Sequence, residues 1–414
     1  MTGFLFRNGA LLDPRQAELR EGVEVLVEDE VVREVSDVPI RSRTAQVVDM
    51  KGRTLMPGLI DAHVHMYYFL NKGGRFHMRN VPPTFSAAMA TYTLKRMLLR
   101  GFTSVRDMAG GDYGMRDASE AGFVDTPRLF ISGRALSQTG GHADFREKTD
   151  FRNDLNVCCC GHELMGIMAD GVPDVIRAVR SELRKGVDHI KIMLSGGVAS
   201  PSDPLESIQF TEEEIAAAVS EATRWGIYAA AHAYSNESIM RGVRNGVRTI
   251  EHGNFLAQDG AQMMLDKGAF LVPTLITYEM NKRLGPDSGK SEFALRKNDI
   301  VHAAGFASLD LCRQMGVAIG FGTDLMTYTQ RYQCEGLALQ AQVQSIAEVI
   351  RSATIVNAQI VGQEGKLGEL VAGAHADLLV VDGNPLQDLG LFKDGGPNLL
   401  AIMKAGKFYK NELT

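Results

Sequence analysis

The sequence predicts an α/β fold, a (β/α)8 TIM barrel carrying a small β-sandwich built from both termini. Through the middle of the chain, short apolar runs alternate with amphipathic segments, the pattern of strand–helix units around a parallel sheet. Both ends read instead as short strands separated by turns, with no helical period. The length of 414 residues exceeds the roughly 250 that one such barrel needs, which leaves room for a second, smaller unit.

At the amino end, strands are expected over residues 4–7, 22–28 and 31–35, with a polar turn at Glu28-Asp29-Glu30 between the last two. At the carboxyl end they are expected over 376–381, 399–404 and 407–410, broken by Asp382-Gly383-Asn384-Pro385 and by Ala405-Gly406. Residues 1–54 and 355–414 are therefore assigned to the sandwich and 55–354 to the barrel. Eight barrel strands are expected, over 55–65, 103–108, 128–132, 189–194, 227–233, 249–253, 270–275 and 317–324. Helices are expected over 84–100, over 173–185 with Pro173 at the start and Gly186 at the end, and over 211–225 with Gly226 closing it. Thr211-Glu212-Glu213-Glu214 has the form of a capping box. Long insertions follow strands three, four and seven, on the side where a barrel carries its active-site loops.

Composition narrows the function classes. With 44 Lys+Arg against 50 Asp+Glu, a net charge of −6 and 45% hydrophobic residues, the chain is a mildly acidic globular protein and is not disordered. No run of Lys/Arg offers a footprint for nucleic acid. No stretch of about 18 apolar residues offers a membrane span, and the opening MTGFLFRNGALLDP lacks signal-peptide features, so the expected location is the cytoplasm, with a removed leader as the alternative. Three of the five cysteines are adjacent, Cys158, Cys159 and Cys160. They form no disulfide framework and are read as free thiols without an assigned function.

The residues that carry chemistry fall at the carboxyl ends of the expected strands. Strand one ends Asp61-Ala62-His63-Val64-His65, and two histidines at i and i+2 on a strand share a face, so both imidazoles can reach one ion. Strand four carries Lys191 in an otherwise apolar run, a costly placement unless a partner offsets it. Strand five ends near His232, strand six near His252 and strand eight at Asp324. Any one of these would pass as a satisfied core residue; the whole set, on the catalytic face of one barrel, points to a metal site.

With those residues in hand, the chain resembles the amidohydrolase superfamily over nearly its whole length. Pro57-Gly58-Leu59-Ile60-Asp61-Ala62-His63-Val64-His65 is similar to the strand-one motif of that superfamily. Residues 368–381, from Gly368-Glu369-Leu370 to Leu379-Val380-Val381, are similar to its C-terminal motif, except that His375 stands where an acidic residue is usual. Lys191-Ile192-Met193-Leu194-Ser195-Gly196-Gly197-Val198, then Ser200-Pro201 and Asp203-Pro204, His232-Ala233-Tyr234 and Glu251-His252-Gly253 resemble the prolidase-like Xaa-Pro and Xaa-Arg dipeptidases and the related ochratoxin-cleaving amidohydrolases.

The resemblance implies a binuclear zinc centre. His63, His65 and Asp324 would hold one ion, His232 and His252 the other, with N-carboxylated Lys191 bridging them. A cationic amine cannot bind zinc, whereas a carbamate can bridge two ions. Two such ions would make hydroxide available at neutral pH. Asp324 would act as general base and then general acid, and Tyr234 is the candidate donor to the developing oxyanion. His142 is the preferred contact for a substrate carboxylate and Arg106 its rival, with pairing to Asp107 as the structural reading of that arginine. Met66, Tyr67, Tyr68 and Phe69 are candidates to line an apolar pocket. His77, His162, His189 and His302 are read as structural or exposed.

The function expected on these grounds is hydrolysis of the amide bond to a C-terminal amino acid in dipeptides or N-acyl amino acids, including ochratoxin-like N-acyl phenylalanines, by a homo-oligomer of up to eight copies. Two alternatives compete with it. One is a cyclic-amide hydrolase similar to imidazolonepropionase, against which the intact Lys191 argues; the other is a non-catalytic scaffold, against which the six retained ligand positions argue.

Overall fold

The computed structural model describes residues 3–68, 82–146, 165–200, 203–288 and 290–413. Phe69, His77, Cys158–Cys160 and His162 lie outside them. No helix among the described residues is long and apolar enough to cross a membrane.

The chain is α/β, with its central strands in parallel sheets. A three-stranded parallel sheet orders Arg128–Phe130, Phe102–Asp107 and Leu59–Val64. A seven-stranded one orders Gly166–Met168, Ala135–Ser137, His189–Met193, Tyr228–Ser235, Thr249–Phe255, Phe270–Val272 and Ala318–Ile319. These strands are buried along nearly their whole length, as strands covered on both faces must be. Backbone hydrogen bonds join both edges of the three-stranded sheet to the seven-stranded one, Ala62 N to Phe321 O at 2.9 Å and Asp188 N, just before His189–Met193, to Ile131 O at 2.8 Å.

The terminal strands form two further sheets. One orders Val31–Ser36, Glu24–Glu28, Gly3–Arg7 and Ala45–Asp49; the other orders Lys407–Asn411, Leu399–Lys404, Leu378–Val381, Thr54–Pro57, Ala10–Asp13 and Glu18–Glu21. Phe6, Val25 and Val27 of the first share a core with Leu55, Leu378, Val380 and Met403 of the second, so the two ends of the chain bury each other's apolar faces.

Three expectations about strands need correction, one of them the eighth barrel strand, expected over 317–324 and observed only as Ala318–Ile319. The run expected as one strand over 55–65 is two, Thr54–Pro57 in the terminal six-stranded sheet and Leu59–Val64 in the parallel sheet. The break falls at Gly58, where a Cβ would stand 2.0 Å from Thr103 Oγ1, so only glycine lets the chain pass the neighbouring strand while changing sheets. The expected seventh strand stops at Val272, and Leu275–Leu284 is already helix. Five short strands, Ala10–Asp13, Glu18–Glu21, Ala45–Asp49, Ala135–Ser137 and Gly166–Met168, lie outside every expected one.

Helices follow their signals closely. Glu212–Arg224 starts on Thr211 with both hydrogen bonds of the capping box formed, and Val172–Leu183 carries a proline in its first turn.

Candidate metal centre and active site

His63 and His65 leave the end of Leu59–Val64 with ring centroids 5.3 Å apart. Asp324 meets them from the segment after Ala318–Ile319: its Oδ1 lies 3.0 Å from His65 Nε2 and 3.6 Å from His63 Nε2. One ligand atom from each of the three falls within 4.8 Å of the others, a spacing that can hold an ion. His232 and His252 stand nearby on adjacent strands, with ring centroids 4.6 Å apart and His252 5.1 Å from His63. Lys191 lies on the neighbouring strand, buried with the histidines. All six groups line one cavity, together with His142 and Tyr234.

Each imidazole of the set has one nitrogen committed to a protein oxygen. His63 Nδ1 meets Glu251 Oε2 at 2.8 Å, His65 Nδ1 meets Ala109 O at 3.3 Å, His232 Nε2 meets Gly196 O at 3.0 Å and His252 Nδ1 meets Thr274 Oγ1 at 2.7 Å. The other nitrogen of each points to the shared space, where that of His65 meets Asp324 Oδ1; outer groups fix tautomer and ring orientation in metal sites in this way. Burial pushes His63 down to about 4 against the pull of Asp324 and Glu251, and drives His232 and His252 well below the ordinary histidine value. These are neutral imidazoles, the form that binds a cation. His65 differs, because Asp324 raises it in spite of burial. Burial likewise pushes Lys191 down, to about 8, against the attraction of Glu251.

The backbone at the site is held in costly conformations. His252, Thr274 and Asp324 have φ of 75°, 46° and 52°, left-handed geometry that costs a non-glycine residue about 1–2 kcal/mol. Asp324 is held there by its N–H, which donates to His63 O at 2.7 Å. The same bond ties the first strand to the segment that brings the carboxylate. Asp61 adds a second tie, accepting from His63 N, Thr323 N, Thr323 Oγ1 and Gln333 Nε2.

Arg106 is placed elsewhere than expected. It is fully buried, absent from the cavity wall, and donates to Ala62 O at 2.6 Å, Thr249 Oγ1 at 3.1 Å and Glu251 Oε1 at 2.7 Å. Its acidic partner is Glu251 and not Asp107, whose carboxylate accepts from the backbone of Met66, Ala109 and Gly111. Arg106 is therefore a support behind His63 and not a substrate contact. Glu251 was missed as a participant. Burial alone would raise its carboxyl, but Arg106, His63 and Lys191 together hold it well below the usual range.

His142 does reach the cavity. Its ring stacks on His232 at 4.1 Å, and its Nδ1 meets Ser200 Oγ at 3.0 Å and Asp203 Oδ2 at 3.3 Å. The Tyr234 hydroxyl shares a 2.9 Å hydrogen bond with Tyr278 OH. Among the described residues of the expected apolar lining, Tyr68 faces the cavity, whereas Met66 and Tyr67 pack in the core beside Val64. Phe145, Met165 and Met193 line it instead, and Thr277, Asn281 and Lys290 come from the segment after Phe270–Val272, none of them foreseen. His189 is fully buried and stacked on Tyr228, and His302 pairs with Glu279 at 2.8 Å.

Comparison with known proteins agrees with this architecture. Residues 54–409 match the family model described as the Amidohydrolase family. The chain is similar to ochratoxinase of Aspergillus niger, at 29% identity over 97% of this chain and 85% of that one. It superposes on the crystal structure of an amidohydrolase with 48% identity and a TM-score of 0.96, both chains fully covered. It also superposes on a prolidase complexed with N-methylphosphonate-L-proline, with 41% identity and a TM-score of 0.95 over 99% of this chain and all of the other. The chain belongs to the amidohydrolase family and is a hydrolase that acts on amide bonds.

Proposed function

We propose that the chain cleaves the amide bond to a C-terminal amino acid in dipeptides or N-acyl amino acids, at a pair of zinc ions seated among His63, His65, Lys191, His232, His252 and Asp324. The observation that carries this reading is the set of four imidazoles, each tied at one nitrogen to a supporting protein oxygen and turning the other towards a shared cavity with a lysine and an aspartate, the Asp324 carboxylate already meeting His65 Nε2 there. Nitrogen and oxygen donors without sulfur suit zinc. Lys191, as a neutral amine, would take up carbon dioxide with release of one proton, and the resulting anionic N-carboxylate would help hold the ions. When bound, the two ions supply water acidic enough to ionise near neutral pH and draw electron density from the scissile carbonyl.

The remaining tasks fall to the chain. Asp324 accepts the proton of the attacking water and returns it to the departing nitrogen. His142 and Tyr234 are the hydrogen-bond donors that ligation leaves over, and they divide between them the developing oxyanion and the substrate's carboxylate, with Lys290 as an added cation on the cavity wall. Losses confined to kcat in His142→Asn or Tyr234→Phe would identify the oxyanion donor, and losses confined to KM the carboxylate contact.

In this reading the two parallel sheets close through their shared edge hydrogen bonds into a (β/α)8 barrel over residues 55–354, and the terminal sheets, within 1–54 and 355–414, form the sandwich. For the leaving residue we place proline first, because the relative described as a prolidase is 41% identical whereas the ochratoxinase is 29%. N-acyl phenylalanine is the second reading, favoured by Tyr68, Phe145 and Met165 on the cavity wall. The test compares kcat/KM for N-acetyl-proline, N-acetyl-phenylalanine and their C-terminal amides. The acids are expected to exceed their amides about a hundredfold or more; equal rates would refute the carboxylate requirement, and a preference for phenylalanine would reverse the order of leaving residues.

A further inference from the structure

A second cleft opens between the helix Pro83–Leu99 and the 3-10 turn Thr327–Tyr332. Three guanidinium groups line it, those of Arg96, Arg100 and Arg331, with the tyrosines Tyr92, Tyr328 and Tyr332. Arg100 is the anomaly. It is 6% exposed, its Nε donates to Gln333 Oε1 at 3.0 Å, and its Nη2 is buried with no hydrogen-bond partner. A guanidinium cannot shed its proton to escape burial, and a buried charge without a counter-ion is strongly unfavourable.

No carboxylate among the described residues pairs directly with Arg100: Asp61 attracts it only from the far side of Gln333, which bridges the two, and nothing reaches Nη2. Arg96 Nε donates to Tyr92 OH at 2.9 Å and Arg331 Nη2 to Tyr332 OH at 2.7 Å, neutral partners that leave both charges uncompensated. Each of these two guanidinium carbons also stands over its tyrosine ring, at 5.0 and 4.8 Å, which holds it in place without neutralising it. The carboxylate in the cleft, Glu335, is already taken by Arg283 at 3.0 Å. The surplus is three positive charges, on planar forks suited to bidentate oxygen ligands.

We propose that this cleft is a binding site for a phosphate-type oxyanion, distinct from the catalytic cavity, in which the ligand's oxygens satisfy the orphaned Nη2 of Arg100 and complete the shell of Arg96 and Arg331. The site is independent of the catalytic reading, since none of its residues lines the metal cavity.

The test is calorimetric titration of inorganic phosphate into the metal-loaded enzyme at low ionic strength, where an ion of this charge is least screened. Because phosphate can also ligate metal ions, the measurement is repeated on Lys191→Ala and on the doubly substituted Arg96→Gln/Arg331→Gln, whose exposed positions spare the fold. Saturable binding is expected in the parent and in Lys191→Ala, weakened at least tenfold in the double variant, while the metal content and kcat/KM of the double variant stay at the parent's values. Arg100→Gln should lose binding as well. Failure of the parent to bind phosphate at 10 mM, or binding by the double variant as tight as the parent's, would overturn the proposal. Loss of binding in Lys191→Ala alone would overturn it too, by assigning the phosphate to the metal centre.

Discussion

Lys191 and Lys404 both belong to apolar strands, His189–Met193 and Leu399–Lys404, and burial pushes both ammonium groups down to about 8. Their surroundings differ. Lys404 Nζ donates to Thr126 O at 2.6 Å, faces the Tyr409 ring at 5.4 Å and feels Asp377 and Asp125. It is a satisfied structural group joining the terminal sheet to the loop before Arg128–Phe130. Lys191 has no hydrogen-bond partner among the described residues and opens on a cavity lined by four neutralised or acid-paired histidines. Burial alone does not mark a functional lysine; what marks it is burial without a partner, beside groups whose own free atoms converge on the same space.

The largest expected effect separates the two lysines directly. Lys191→Ala should lose bound metal and activity by several orders of magnitude, and short carboxylic acids added to the assay should restore part of both by standing in for the carbamate. Lys404→Met should keep the parent's metal content and kcat. Metal analysis and steady-state rates decide it: two ions and a full rate in Lys191→Ala would remove the lysine from the centre, and metal loss in Lys404→Met would erase the contrast. Next in size is Asp324→Asn, which should retain at least one ion yet lower kcat by about a thousandfold or more, because an amide cannot shuttle the proton. A near-normal kcat would take Asp324 out of the mechanism.

A third effect tests the layer that supports the cavity. Glu251 holds His63 at one end and Arg106 at the other. Glu251→Gln should weaken metal binding about 10- to 100-fold, the usual consequence of disturbing a ligand's outer partner, and should destabilise the chain as well by leaving Arg106 buried without its counter-charge. Metal affinity measured by competition with a chelator checks the first part. An unchanged affinity alongside a lowered melting temperature would reduce Glu251 to a purely structural role.

That supporting layer also shows where reading the sequence stopped. His63 and His65 were legible because strand alternation is regular there, and i, i+2 residues face one way. Lys191, His232, His252 and Asp324 stood out as polar residues ending apolar runs, and the terminal strands Gly3–Arg7, Glu24–Glu28, Val31–Ser36, Leu378–Val381, Leu399–Lys404 and Lys407–Asn411 were legible from their short runs and turns, whereas Ala10–Asp13, Glu18–Glu21 and Ala45–Asp49 were not. Glu251 was not legible because alternation predicts that it points away from its neighbour His252. The φ of 75° at His252 breaks the alternation and lets both reach the interior. Arg106 was misread for a related reason: its position at a strand end suggested a substrate contact, whereas its length carries the guanidinium back to Thr249 and Glu251. Lys290 and Asn281 come from a long insertion whose folding carries no local signal, and the division of residues 54–64 between two sheets depends on how closely Thr103 approaches Gly58.

The smallest expected effect is on stability and concerns Lys404. Its folded-state value near 8 lies below the ordinary lysine value of 10.5. Below pH 8 both folded and unfolded chains carry the proton, and the folded state bears the full cost of burying a charge. Between about pH 8 and 10.5 the folded lysine releases its proton while the unfolded one keeps it, so the unfolded state binds more protons and stability attributable to this group rises with pH. The gain is on the order of 3 kcal/mol across that window. Other groups titrate there as well, so the measurement is the difference in melting temperature between the parent and Lys404→Met, taken at pH 7.5 and again at pH 10. The parent should gain on the variant by a few degrees as pH rises. A constant difference would mean that the ammonium is already fully offset by Thr126 O, Asp377 and Asp125, and that the two buried lysines differ in electrostatic cost as well as in role.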